Sequence, residues 1–233
     1  MVYKVKDLIG YKVQAIDGDI GKIHDIFFDD RNWKIRYVVV STGTWLSGKR
    51  VLISPNSIGQ PGIKAHKFPV DLTKEKIKNS PCIDLDKPVS LQKQAELFKY
   101  YSWPIGDDFI PLPAFDIQEE STRAETEEEQ LDRHLRSARE IIDYIVITKD
   151  EKKAGYVEDF LMNTKRRTIA YIVLNRKQVS KLIPSRYIKG VDWSENRLDV
   201  DLTKDKIESA PEYEPDQLTK EFEVELKKHY KKS

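Results

Sequence analysis

The chain has 233 residues, 39% hydrophobic and 34% charged, with a formal net charge of +1 and a single cysteine, Cys82. That length allows one or two domains. The near-zero charge supplies no global field toward nucleic acid or anionic lipid, and one cysteine rules out an internal disulfide. The N-terminal stretch MVYKVKDLIGYKV lacks the continuous apolar core of a signal peptide, and no apolar run approaches the roughly 20 residues of a membrane span, so a cytoplasmic protein is expected.

In chain order, YKVQAI (11–16) reads as a strand, and Asp17-Gly18 after it suits a tight hairpin because glycine tolerates positive φ. IGKIHDIFFD (20–29) continues the sheet, with Ile20, Ile23 and Phe27 alternating with polar residues and Gly21 placed for a bulge. A turn at DDRN (29–32) leads into WKIRYVVV (33–40), β-branched and aromatic. STGTWLSG (41–48) is a loop, KRVLI (49–53) a strand that Ser54-Pro55 breaks, and 64–72 a weaker strand. Thr73 is a natural N-cap for a short helix over 74–79. Five short strands and a capped helical turn predict a small antiparallel β-barrel.

The same text is then written again. VDLTKEKIKNSP (70–81) recurs as VDLTKDKIESAP (200–211), GKIHDIFFD (21–29) as GYVEDFLMN (155–163), KIRYVVV (34–40) as TIAYIVL (168–174), and VLISPNSI (51–58) as KLIPSRYI (181–188). Gly21 recurs as Gly155 and Leu52 as Leu182, so the offset falls from 134 to 130 and the second copy is four residues shorter between Val40 and Leu52. A unit of this size is one small domain rather than a solenoid repeat. The reading is mainly β: two tandem small antiparallel barrels, 1–103 and 133–233, each closing in short helices. In the second, Leu218, Phe222, Leu226 and Tyr230 form one helix face; in the first, Leu91, Ala95, Phe98 and Tyr101 play that part. Between them, 104–132 carries six Glu among the eleven residues 119–129 and reads as a solvated, mobile acidic linker.

Chemistry is sparse. His24, His66, His134 and His229 are scattered without ligand spacing, and with one cysteine no zinc motif forms. There is no P-loop, dinucleotide fingerprint or nucleophile elbow. Asp25 and Asp159 hold equivalent places, but a carboxylate without a partner group reads as a structural acceptor of backbone hydrogen bonds rather than an acid catalyst. No catalytic residue, metal or cofactor is expected. The loop 41–48 stands out, because it falls at the four-residue gap and holds Trp45 and Leu46 between glycines, with Lys49 and Arg50 beside it. Exposed aromatics on loops anchor partners, so Trp45, Leu46, Lys49 and Arg50 are the candidate partner-binding residues. The alternative is that Trp45 folds back to plug its own barrel.

The hairpin segment DGDIGKIHD, the strand IRYVVV and the strand KRVLIS resemble the PRC-barrel domain family, and HLRSAREIIDYIV (134–146) is similar to the lead-in of a second such domain in two-barrel bacterial proteins. The resemblance implies a non-enzymatic protein-interaction adaptor or scaffold. The alternatives are an assembly or maturation factor for a ribosomal or membrane, reaction-centre-like, complex, and more distantly a small-molecule hydrolase. The partner expected is a protein; nucleic acid is not expected, and a homodimer stays open.

Overall fold

The computed structural model describes residues 2–43, 48–80, 96–97, 99–101, 134–176, 178–215 and 218–231. The linker expected at 104–132 and Cys82 lie outside them, as do Leu91, Ala95 and Phe98. The chain forms two compact units. The N-terminal unit consists of Ile9–Asp29 and Lys34–Leu135; the C-terminal unit gathers the segment up to Leu8, Asp30–Trp33 and Arg136–Ser233. Strand β1 (Val2–Lys4) and the one-turn helix Val5–Leu8 therefore belong with the second repeat.

In the N-terminal unit, β2 (Lys12–Ala15), β3 (Gly18–Asp29), β4 (Ile35–Ser41) and β5 (Arg50–Ile53) run as an antiparallel meander, and β6 (Lys67–Pro69) lies against β2. The β2–β6 pair is parallel, where sequence reading expected only antiparallel neighbours. The reason is arithmetic: five strands that alternate in direction bring the fifth back parallel to the first. The remaining seam is spanned by the bridge Ile58↔Val70, just after the 3-10 turn Pro55–Ser57 that follows β5.

The simple alternation expected along β3 is also reset. Its ladder to β4 skips His24 and then Arg36, so Ile26 and Phe28 are buried while Phe27 is only half-buried. Each bulge moves the following side chain to the other face. Gly21 sits where β3 passes β4 closely: a Cβ there would lie 2.0 Å from the Ser41 carbonyl oxygen, and its φ of +150° suits glycine. The core is aliphatic and aromatic, with Ile23, Tyr37, Val39, Leu52, Phe68 and Ile77 fully enclosed. Thr73 caps the helix Lys74–Lys78 by accepting from Lys76 N, and Asp17 Oδ1 accepts from Lys74 N at 2.7 Å, tying the hairpin turn to the helix.

The C-terminal unit repeats this plan. Beyond β7 (Leu135–Ser137), which stands where the N-terminal unit ends and is no member of this sheet, the helix Ala138–Ile141 is followed by β8 (Ile145–Ile147), β9 (Lys153–Asn163), β10 (Thr168–Arg176), β11 (Val179–Pro184), β12 (Ile188–Asp192) and β13 (Arg197–Val200). The order β11-β10-β9-β8-β13-β12 again has one parallel pair, β8 with β13. The registers coincide: Phe27↔Tyr37 becomes Leu161↔Tyr171, Asp25↔Val39 becomes Asp159↔Val173, and the same two bulges recur. Asp150 Oδ1 accepts from Lys204 N, as Asp17 does from Lys74, and Thr203 repeats the cap of Thr73. The helix Lys220–Lys231 buries Leu226 and Tyr230, half-buries Phe222, and leaves Leu218 before its start. Tyr101 and Leu97 are buried at the corresponding end of the first repeat.

Two segments from the first repeat complete this unit. β1 adds to β9 with Val2↔Asn163 and Lys4↔Leu161. Trp33, expected in a strand, stands instead in a turn at φ 61°, packs against Phe160 with ring centroids 6.3 Å apart, and accepts from Ile169 N at 2.8 Å. Asp30 of the same turn holds Arg136 at 2.8 Å, and the Arg136 guanidinium lies 4.2 Å from the Trp193 ring.

Candidate functional site

The loop singled out in the sequence starts where β4 ends. Trp45 and Leu46 lie outside the described residues. The stem beneath them is pinned: Thr42 N and Thr42 Oγ1 both donate to the Lys49 carbonyl, at 3.0 and 2.6 Å, and Gly48 N donates to Gly43 O. Gly43 and Gly48 take φ of 58° and 73°, left-handed turns that glycine makes without strain. Lys49 is exposed on this stem, and Arg50 begins β5, half-buried and paired with Ser41. In the second repeat the same ladder position, Asn175↔Ser180, closes directly through Arg176↔Val179, a tight hairpin with Gln178 at φ 70°. The four-residue difference therefore falls wholly in the loop and leaves both sheets in register.

Asp25 and Asp159 are structural acceptors. Asp159 Oδ1 takes the Phe160 N–H at 2.7 Å and the Lys6 N–H at 3.1 Å, satisfying both its own bulge and the first turn of the helix Val5–Leu8. Asp25 Oδ1 accepts from Ile26 N at 2.7 Å in the same way. Burial is the chief influence on the Asp159 carboxyl and pushes it up to about 6, against the pull of those two N–H donors and the nearby Lys6 and Lys4 charges. Asp71 and Asp201 are exposed, their backbone N–H groups spent on the Ser57 and Tyr187 carbonyls. His229 is bound through Nε2 to the Lys206 carbonyl at 2.8 Å, and His66 stacks edge-on to Tyr11. Among the described residues, no three His, Cys, Asp or Glu side chains group as a metal site would require.

Sequence reading missed a second feature, in the C-terminal unit. A cleft of about 300 Å³ opens between the β9–β10 turn, the 3-10 turn Ser185–Tyr187 and the helix Lys220–Lys231. Arg166, Arg186 and Lys227 stand on its rim, with Glu223 the only carboxylate in its lining. Tyr171 is buried at its base. Burial raises its phenol, Glu223 adds to the shift, and Arg186 and Arg166 oppose it, which marks the four side chains as one electrostatic neighbourhood. The signal lay in the repeat alignment, where Asn32 and Asn56 become Arg166 and Arg186.

A β-rich unit built twice, each copy a bulged meander with a capped helical turn, is the architecture the sequence resemblance implied. The PRC-barrel domain matches residues 1–77 and again 134–208, and the chain belongs to that family. A comparison with curated proteins found no match. Family membership makes the chain a protein-interaction module in its broad class. Among the described residues no helix is long and apolar enough to cross a membrane.

Proposed function

We propose that the protein is a non-enzymatic adaptor or scaffold of the cytoplasm that binds a protein partner through the loop following β4, with Trp45 and Leu46 as anchors and Lys49 and Arg50 as flanking charges. The observation that carries this reading is the strand-by-strand identity of register across the loop. Ser41↔Arg50 and Asn175↔Ser180 are the same ladder position, yet only the first repeat spends four further residues between them. Those residues are dispensable to the sheet, and an insertion that the fold does not need is a natural place for recognition. The pinned stem supports it, since a loop held at both ends loses less freedom on binding.

The test pairs affinity capture with stability. Wild type and Trp45→Ala are used to capture partners from native lysate, and their urea midpoints are compared. An anchor costs about 2 kcal/mol or more of binding when truncated and leaves folding within about 0.5 kcal/mol. A Trp45 packed into its own unit would instead cost about 3–5 kcal/mol of stability. A large midpoint drop with unchanged capture overturns the assignment.

A further inference from the structure

Because β3, β4 and β5 pair residue for residue as β9, β10 and β11 do, each position in those strands is a control for its counterpart. One place differs in a concerted way. In the N-terminal unit Arg36 occupies the bulge position of β4, and its Nη1 lies 3.2 Å from Asp29 Oδ2; the two side chains are 5% and 0% exposed. A buried guanidinium thus fills the end of that sheet. At the offset of 134 its counterparts are Ala170 and Asn163, and both line the cleft of the C-terminal unit. Where one copy holds a large ion pair, the other has the space it would fill.

The charges around that space change in the opposite sense. Asn32 and Asn56 of the first repeat correspond to Arg166 and Arg186. Lys227 joins them from the last helix. All three cations are exposed, and among the described residues none pairs with a carboxylate. Arg186 is held in place, its guanidinium 4.8 Å from the Tyr187 ring, whose hydroxyl donates to the Tyr230 carbonyl at 2.8 Å. A duplicated fold that removes a buried plug and adds cations at the mouth of the resulting space has the makings of an anion-binding site.

We propose that this cleft docks an acidic peptide segment of a partner protein, one whose side-chain carboxylates engage Arg166, Arg186 and Lys227. The inference rests on the interaction role proposed above but assigns it a second site and the chemistry of what binds there. The cations stand on three separate elements, and aliphatic Val2 and Pro184 lie in the lining between them. That mixture suits a peptide chain better than a bare inorganic anion. Two guanidinium groups match carboxylates bidentately, and their exposure makes the contact salt-sensitive.

The test uses the purified full chain and a fluorescein-labelled twelve-residue peptide of alternating Glu and Ser, read by anisotropy at low salt. Saturable binding is expected, weakened about tenfold or more in the double variant Arg166→Ala/Arg186→Ala. Ala170→Arg with Asn163→Asp rebuilds the first repeat's plug while keeping all three cations, and should abolish binding. Lys64→Ala, an exposed cation in the other unit, should change nothing. Should the plugged variant fail to fold by circular dichroism, the double alanine variant, altered only at exposed positions, decides the matter. The proposal is overturned if the peptide does not saturate at millimolar protein, or binds both cleft variants like wild type. It is also overturned if inorganic phosphate displaces the peptide as well as unlabelled peptide does, or if an oligouridylate binds more tightly at the same residues. Lysate capture dependent on Trp45 would survive any of these failures, and loss of that capture would leave peptide binding here intact.

Discussion

Replacing Gly155 by alanine should unfold the C-terminal unit far more readily than its single methyl group suggests. Gly155 lies in β9 where the strand passes the end of β10. A Cβ placed on it would sit 2.3 Å from the Asn175 carbonyl oxygen and 3.1 Å from Leu174 Cδ1. Ordinary C···O contact is about 3.3 Å, so the strands must part by roughly 1 Å. The obstacle is backbone, not the end of a flexible side chain, and it cannot swing aside. Overpacking of this kind costs about 1–3 kcal/mol, and parting β9 from β10 strains the Tyr156↔Asn175 rung, worth about 1 kcal/mol more. The gain from restricting the unfolded chain offsets about 0.4–1 kcal/mol. A net loss of about 1–3.5 kcal/mol follows, or about 5–25 °C in midpoint for a unit of this size. Gly190 is the internal control: it lies in β12 of the same unit, and its Cβ would meet nothing within 4 Å. Thermal and urea unfolding by circular dichroism, with Gly190→Ala alongside, makes the comparison. Equal midpoints for the two variants would refute the close-approach argument, and with it the claim that Gly21 and Gly155 recur for steric reasons.

Further outcomes follow from individual contacts. Asp159 has a folded-state value of about 6 against 3.8 unfolded, so between those values the folded protein holds more protons, and this group's contribution to stability falls as pH rises through that window. Asp159→Asn keeps an oxygen for Lys6 N and Phe160 N; its advantage over wild type should shrink by on the order of 1–3 kcal/mol between pH 7 and pH 4, and a pH-independent difference in urea midpoints would contradict the assignment. Thr203→Ala removes the acceptor for Lys206 N and should cost about 1 kcal/mol in the C-terminal unit, with Thr73→Ala costing the same in the other; hydrogen exchange at the first turn of each helix would report it.

Local chemistry made much of the fold legible. Thr73 caps where its position before a helical pattern said it would, and its counterpart Thr203 does the same; the strand over 35–40 follows from β-branched residues. The hairpin turn expected at Asp17-Gly18 falls one residue earlier, at Ile16-Asp17, because Gly18 already pairs with Ala15 as the first residue of β3. The duplication did more, since each copy's pattern checked the other. What could not be read were consequences of long-range pairing. The bulges at His24 and Arg36 are set by the partner strand, so Phe27 and Phe28 exchange roles with no local signal. Trp33 has strand composition but stands in a turn because its ring and carbonyl are used by Phe160 and Ile169. Nothing in VYK announces that β1 pairs with β9, some 160 residues away, since backbone hydrogen bonds carry no address in side-chain pattern.

The two candidate sites differ in legibility for a related reason. The loop after β4 could be found by alignment alone, because an insertion with an aromatic residue is visible as text. The basic cleft could not, although every substitution that makes it was equally visible. Arg36 to Ala170 reads as the loss of a surface cation until the structure shows the arginine buried on Asp29, and Asp29 to Asn163 then reads as its compensating partner change. An unpaired buried carboxylate is costly, so a copy that loses the guanidinium must also lose the charge it neutralised. The pair therefore had to change together, and the space they left is larger than either substitution implies. The loss of the pair leaves the net charge unchanged, so Asn32 to Arg166 and Asn56 to Arg186 are added positive charge, placed at the exposed rim rather than in the interior. A guanidinium spent on a buried carboxylate cannot engage a ligand, whereas cations at the exposed mouth of a vacated space can, which is the premise of the acidic-segment proposal.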